Sequence, residues 1–315
     1  MIILSFVIII IALFILTSYI CYRIAFLAPK RVDESTINAP SQKEYDLLRD
    51  GIQKSIDRMR NRPFEPVTIT SFDGTKLYAR YYHVADGAPV QILFHGYKSH
   101  ALLDCSGGSY FAEKLGQNAL VVDQRSHGKS EGTAITFGVL ERKDCLCWIN
   151  YILTRCGQDT KIILSGLSMG AATVLMATDL NLPQNVIGVM ADCPYSSPEA
   201  IIRKVAKTEL HLPDHLMYPF IKFGAKLFAR FDLEESSAIE AVKYTKLPIL
   251  LIHGEADNFV PCDMSREMAK ANPSMVTLVT IPDARHGLCY MVNPARYEEA
   301  VESFMQKVLG DVPSK

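Results

Sequence analysis

The 315 residues include 33 basic and 34 acidic side chains, a formal net charge of −1, so no global field draws the chain toward nucleic acid or another polyanion. A 49% hydrophobic content suits a large globular core, with part of the excess lying at the N-terminus. None of the eight cysteines forms a C-x-x-C pair with matching His or Cys partners, which argues against a zinc site and suits thiols of a reducing compartment.

Residues 1–21 carry no charged side chain; Arg23 follows, then the apolar residues 24–28. At about 1.5 Å per residue this run crosses roughly 30 Å of hydrocarbon. A cleaved signal peptide is the competing reading, but no Lys or Arg precedes the run and it is longer than an h-region. The expectation is a retained single-pass anchor over residues 1–28. Arg23, Lys30 and Arg31 on its C-terminal side lean the rest of the chain toward the cytoplasm, with Asp33 and Glu34 partly offsetting them.

Residues 29–40 are polar and bounded by Pro29 and Pro40, as in a linker. Ser41-Gln42-Lys43-Glu44 has capping-box form, and Tyr45, Leu48, Ile52, Ile56 and Met59 follow at helical spacing. Asp46, Asp50 and Asp57 balance the basic residues of this amphipathic helix, which favours packing on the domain over lying on a membrane. Linker and helix together cover residues 29–62. Alternation on both sides of Asp73-Gly74 predicts a hairpin of strands 67–72 and 76–83.

Residues 63–315 then alternate between apolar strands and helical patterns. Strands are expected at 90–94, 119–122, 161–164, 186–191, 249–252 and 275–281, and helices near 109–115, 140–156, 171–180, 262–271 and 294–309. Such alternation predicts an α/β fold, a mostly parallel sheet covered by helices on both faces. The rhythm breaks only at about 195–245, where Leu216, Met217, Phe220 and Phe223 make a run too apolar for a solvated loop. Its place after a strand end predicts a helical cap over the site, with those four residues binding substrate.

The chemistry centres on Gly166-Leu167-Ser168-Met169-Gly170, which follows an apolar strand and opens a helix. In that setting Gly-x-Ser-x-Gly is a nucleophile elbow, a strained turn that lifts the serine hydroxyl above the sheet edge. Serine needs a base, and the base an orienting acid. Asp257, in the loop after strand 249–252, and His286, after the last strand, follow Ser168 in the order such sheets use. Asp192 also ends a strand and is a rival acid; Glu255 is a weaker one. His95, His127 and His253 flank glycines at strand ends, where imidazoles often bond loop backbone. Two amides should stabilise the oxyanion: Met169 N–H and, from His95-Gly96-Tyr97, Tyr97 N–H.

With these motifs and Asp123-Gln124-Arg125-Ser126-His127-Gly128-Lys129-Ser130 in order, the chain from about 67 to 309 resembles the α/β-hydrolase superfamily. Within it, the chain is similar to membrane-anchored bacterial hydrolases labelled serine aminopeptidase-like or lysophospholipase-like. The resemblance implies the roles given to Ser168, Asp257 and His286, and an architectural role for the Asp123 loop. The expected activity is hydrolysis of a carboxylic ester, lipid-like or otherwise acyl, through an acyl-enzyme and without a metal or organic cofactor. A serine aminopeptidase and a non-catalytic binding scaffold are the alternatives.

Overall fold

The computed structural model describes residues 2–41 and 43–310. Gln42 of the expected capping box therefore lies outside the described residues. The chain begins with α1 (Ile2–Ala25), continues through α2 (Arg49–Asn61) and enters the hairpin β1 (Glu65–Thr70) and β2 (Lys76–Tyr82). Next come β3 (Val90–Phe94), α3 (Ala101–Asp104), α4 (Ser106–Lys114), β4 (Asn118–Asp123), α5 (Glu141–Cys156), β5 (Ile162–Leu167), α6 (Met169–Ala177) and β6 (Val186–Asp192). The insertion holds α7 (Pro198–Thr208) and α8 (Asp214–Gly224), which runs into a π-helical turn, Ala225–Ala229, and then α9 (Ala238–Tyr244). β7 (Ile249–Gly254), α10 (Cys262–Ala271), β8 (Val276–Ile281), α11 (Cys289–Val292) and α12 (Pro294–Leu309) follow, the last elements among the described residues.

The eight strands form one sheet in the order β1-β2-β4-β3-β5-β6-β7-β8. β1–β2 and β2–β4 are antiparallel, and every pairing from β3 onward is parallel. The sheet is covered on both faces, which explains why its central strands are apolar throughout. Ile162 and Leu164 enter the core layer of α5 and α6, while Ile163 between them enters the layer of α12. Ile92 and Phe94 join the first layer, and Leu93 faces α3 and α4.

Several boundaries differ from the sequence reading. The helix expected after the capping box begins only at Arg49; Lys43–Tyr45 is a separate 3₁₀ turn. Arg49 accounts for the delay, because its guanidinium holds the Pro40 and Ser41 carbonyls and Asp46 in an irregular loop. The linker is also docked: Glu34 pairs with buried Arg80, and the Glu34 and Ile37 carbonyls accept from Arg60. Helix α1 stops at Ala25, and residues 26–28 belong to the folded domain rather than to an anchor. Phe26 is fully buried among Phe137 and Phe231, and Ala28 N–H donates to the Thr133 carbonyl at 3.0 Å.

Candidate active site

Every parallel strand ends at the same sheet edge, which carries the loops that begin at His95, Gln124, Ser168, Cys193, Glu255 and Pro282. The turn after β5 is tight. Ser168 sits at φ 55°, ψ −112°, a region L-residues avoid, and its N–H donates to the Asp192 carbonyl at 2.8 Å. Both flanking glycines are required by space: a Cβ on Gly166 would stand 2.3 Å from the Gly170 backbone, and one on Gly170 2.1 Å from the Phe94 carbonyl oxygen. That closeness packs α6 directly on the sheet and presents Ser168 Oγ at its edge.

The structure brings Ser168, His286 and Asp257 together. His286 Nε2 is 2.9 Å from Ser168 Oγ, and His286 Nδ1 is 2.7 Å from Asp257 Oδ2. A carboxylate can only accept, so Nδ1 carries the imidazole proton and the Nε2 lone pair faces the serine hydroxyl. Burial alone would raise the Asp257 pKa. Hydrogen bonds from His253 and His286, the His286 charge and the Val260 amide instead hold its carboxyl far below the usual range, so it is an anion at neutral pH. Its other oxygen accepts from Phe259 and Val260 N–H at 2.9 and 2.8 Å.

His253 was read only as a loop histidine, yet it orients this acid. Its Nε2 lies 2.9 Å from the Val260 carbonyl and 3.3 Å from Asp257 Oδ2, so Nε2 is the protonated nitrogen; Nδ1 faces Ser265 Oγ at 2.7 Å. The other rivals are committed to backbone. His95 accepts from Gln124 N–H and donates to the Gly96 carbonyl, and His127 accepts from Lys98 N–H and donates to the Arg125 carbonyl. Burial pushes His127 down to about 4, and burial with the nearby His127 takes His95 well below its ordinary value, so both rings are neutral.

Asp192 approaches the same edge without entering the hydrogen-bond chain. Its Oδ1 is buried with no hydrogen-bond partner among the described residues, and burial raises its carboxyl to about 6 against the pull of His253, Tyr297, His286 and Cys289. Asp104 was not picked out from the sequence at all. Its oxygens accept from Gly96 N–H and Ser99 Oγ, both at 2.7 Å, and so shape the loop after β3. With Lys98 N–H held by His127 at 3.1 Å, the amides on either side of Tyr97 are both fixed. Met169 opens α6, and N–H groups of a first helical turn have no carbonyl partner inside the helix. No motif marks Asp104 or His253, because their bonds to Gly96, Ser99, Asp257 and Val260 depend on how the adjoining loops fold back.

A cavity of about 350 Å³ opens at Ser168 and His286. It runs under α2 and between α3, α4 and α11, past Ile52, Leu93, Leu103, Phe111, Tyr290 and Met291, with Tyr97 and Asp192 also on its wall. The four residues expected to bind substrate lie elsewhere. Leu216, Met217, Phe220 and Phe223 do not border this cavity; they sit on α8, which packs along α1, with Phe14 at 4.8 Å from Phe220 and 5.0 Å from Phe223 between ring centroids. Among the described residues of the insertion, Glu209 borders a smaller cavity beside His286, and Lys204 bonds the Asn258 carbonyl on that cavity's wall. The reason is the exposed apolar surface of α1, which offers α8 a closer apolar partner than the sheet edge does.

Cys193, Asp257 and His286 place possible ligand atoms within 4.8 Å of one another. The set suits a metal ion poorly. Burial and the neighbouring carboxylates push the Cys193 thiol far up, keeping it protonated, and Asp257 and His286 are already bonded to each other.

A mostly parallel sheet with a tight strand-to-helix turn at Ser168 and the Asp257 and His286 loops at the same edge has the α/β-hydrolase fold. The model of the alpha/beta hydrolase family matches residues 91–300, and the chain belongs to that family. The uncharacterized protein YqkD of Bacillus subtilis (strain 168) is 24% identical over 281 residues, spanning 89% of this chain and 88% of its own length. Among solved structures, the Pyrococcus furiosus esterase Pf2001 superposes with a TM-score of 0.67 at 23% identity, covering 90% of this chain and 99% of that one. A Mycobacterium tuberculosis puromycin-hydrolyzing peptidase gives a TM-score of 0.64 at 17% identity over 81% of this chain and 40% of its own.

Proposed function

We propose that this chain is a membrane-held serine hydrolase that cleaves carboxylic esters. The observation that carries the reading is the unbroken hydrogen-bond chain Ser168 Oγ–His286 Nε2, His286 Nδ1–Asp257 Oδ2. Ser168 attacks the acyl carbonyl while His286 takes its proton, and Asp257 holds the imidazole tautomer and stabilises the cation that forms. Met169 and Tyr97 N–H receive the oxyanion, each such donor contributing roughly 3–4 kcal/mol in the transition state. His286 then protonates the leaving alcohol, and water repeats the sequence on the acyl-enzyme.

The cavity walled by Leu93, Leu103, Phe111, Tyr290 and Met291 suits an acyl chain. Helix α1, with 24 residues and a mean hydropathy of 2.8 in its most apolar window, is long and apolar enough to hold the enzyme in a bilayer. One observation favours a second substrate class: Asp192 stands on the cavity wall, where a carboxylate would attract a substrate ammonium, as an aminoacyl compound carries.

Fluorophosphonate labelling, followed by kcat/KM across p-nitrophenyl esters of two to twelve carbons and aminoacyl amides, tests the reading. Ester turnover that climbs with chain length supports it, at about 0.8 kcal/mol per buried methylene. Preference for aminoacyl amides selects the peptidase, and absence of labelling at Ser168 removes both.

A further inference from the structure

We infer that α8 and the π turn after it form a second membrane-contacting surface, dipping into the same leaflet interface that α1 crosses. The inference rests on the reading of α1 as a bilayer helix. Its occupant is lipid, with anionic headgroups at its rim.

Helix α1 marks its own water line. Tyr19 and Tyr22 lie 6.1 Å apart between ring centroids, both rings meet Phe228, and Arg23 Nη1 donates to Tyr19 Oη at 3.1 Å. Aromatic rings with an adjacent arginine are what membrane proteins place at the headgroup level. Phe14 lies five residues further into the apolar run, about 7.5 Å at helical rise. Helix α8 meets α1 at that depth: Phe220 and Phe223 pack on Phe14, and a Cβ on Gly224 would stand 2.5 Å from the Ser18 carbonyl oxygen. Amphipathic helices that lie in the interface bury their apolar face about 5–10 Å deep.

The outward face of this segment is built for that position. Leu216, Phe223 and Leu227 recur at helical spacing and are 57%, 37% and 47% exposed, and Leu212, just before α8, is 39% exposed. Lys226 and Arg230 are exposed at the end of the stripe. Alongside them, Ile15, Leu16 and Ile20 of α1 are also exposed, so the two apolar surfaces are continuous. A bilayer that surrounds α1 cannot stop at Phe14 without also covering α8. This surface explains why the insertion's large apolar residues leave the catalytic cavity. Tyr97 Oη and Lys98 Nζ bond the last carbonyls of α1 at 2.7 and 2.9 Å, so α1 also holds the loop after β3 on this side of the domain.

The test uses full-length protein in vesicles of phosphatidylcholine and phosphatidylglycerol with a brominated-lipid series. Trp148, the one native tryptophan, is fully buried and gives a constant background. Leu216→Trp, Phe223→Trp and Leu227→Trp report on the proposed surface, Ile10→Trp on the anchor, and Tyr244→Trp, at a position 74% exposed on α9, on bulk solvent. The expected result is at least twofold quenching of the three surface reporters by shallow bromines and little by acrylamide, with Tyr244→Trp behaving oppositely. Quenching of Ile10→Trp by bromolipid while the three respond only to acrylamide would overturn the surface and leave the anchor standing. If Ile10→Trp also escapes the bromines, the anchor reading fails and the surface with it. Shielding of the three from both quenchers, with cross-linking between copies, would assign the face to a protein partner and overturn the inference.

Discussion

The Tyr97 hydroxyl donates to the Ala25 carbonyl at 2.7 Å, tying the loop after β3 to the last turn of α1. Lys98 Nζ adds a bond to the Ile24 carbonyl at 2.9 Å, and the Tyr97 ring stacks within 5.0 Å of Phe137, itself packed on Phe26. The proposed oxyanion amide thus sits on a residue whose side chain is fixed by the N-terminal helix. Tyr97→Phe removes one bond and keeps the ring. The expected outcome is a kcat fall of about fivefold, the scale of one hydrogen bond of roughly 1 kcal/mol, with KM nearly unchanged. Steady-state kinetics on a short soluble ester checks it, and an equal loss in kcat at every position of α1 contact would point to general loosening instead.

Truncation should be sensitive to where the cut falls. Phe26 is fully buried in the main core, so removing residues 1–28 empties a phenylalanine site as well as the apolar helix. Phe26→Ala in the full chain should lose about 3–5 kcal/mol of stability, and the 29–315 fragment at least as much. A chain cut after residue 20 keeps Phe26 and should unfold closer to the full-length protein. Urea unfolding in a mild detergent compares the three. A 29–315 fragment as stable as the full chain would show that the apolar run and the domain are independent after all.

The layout of sheet and helices was legible because strand and helix patterns alternate, and Ile162-Ile163-Leu164 is apolar on both faces as a doubly covered strand must be. Ser168, Asp257 and His286 were legible because each stands at a strand end in a fixed order. What the sequence could not give was partnership between distant surfaces. The apolar run of Leu216, Met217, Phe220 and Phe223 says that something apolar meets it; Phe220 and Phe223 meet Phe14 of α1, whose own apolar face was assigned wholly to lipid, while Leu216 stays exposed. The cavity wall from α2 and α11 was illegible for the same reason. Amphipathic spacing shows that Ile52 is inward, but not that it faces the catalytic edge. Asp104 and His253 act through backbone amides and a neighbouring carboxylate, and no local pattern encodes such bonds.

The hydrogen-bond chain makes a quantitative forecast about the acid. Ser168→Ala or His286→Ala should lower turnover by a factor on the order of 10⁶, and the double variant hardly further, because the residues act as a unit. Asp257→Asn should cost on the order of 10⁴. Asp192→Asn should cost less than tenfold on a neutral ester, since Asp192 does not bond His286. Presteady-state acylation with a p-nitrophenyl ester measures all five, and a larger loss at Asp192 than at Asp257 would transfer the acid's role.

Asp192 and Asp257 should also pull stability in opposite directions as pH changes. The Asp257 carboxyl is held far below its unfolded value, so its contribution is present above the ordinary carboxylate range and is lost only as the pH falls below it. The Asp192 carboxyl is raised by burial to about 6, and its Oδ1 has no hydrogen-bond partner among the described residues. Between the ordinary carboxylate range and pH 6 the folded chain therefore binds a proton that the unfolded chain has released. Stability from this group is greatest in acid and declines as pH rises through 6. Asp192→Asn cannot ionise and should remove the decline. The variant's Tm relative to the parent is then expected to improve as pH rises from 5, with most of the change complete by about pH 6 and little beyond it. Thermal unfolding of both proteins in the same detergent across that range measures it. A constant Tm difference would mean that Asp192 keeps an ordinary pKa in the folded chain.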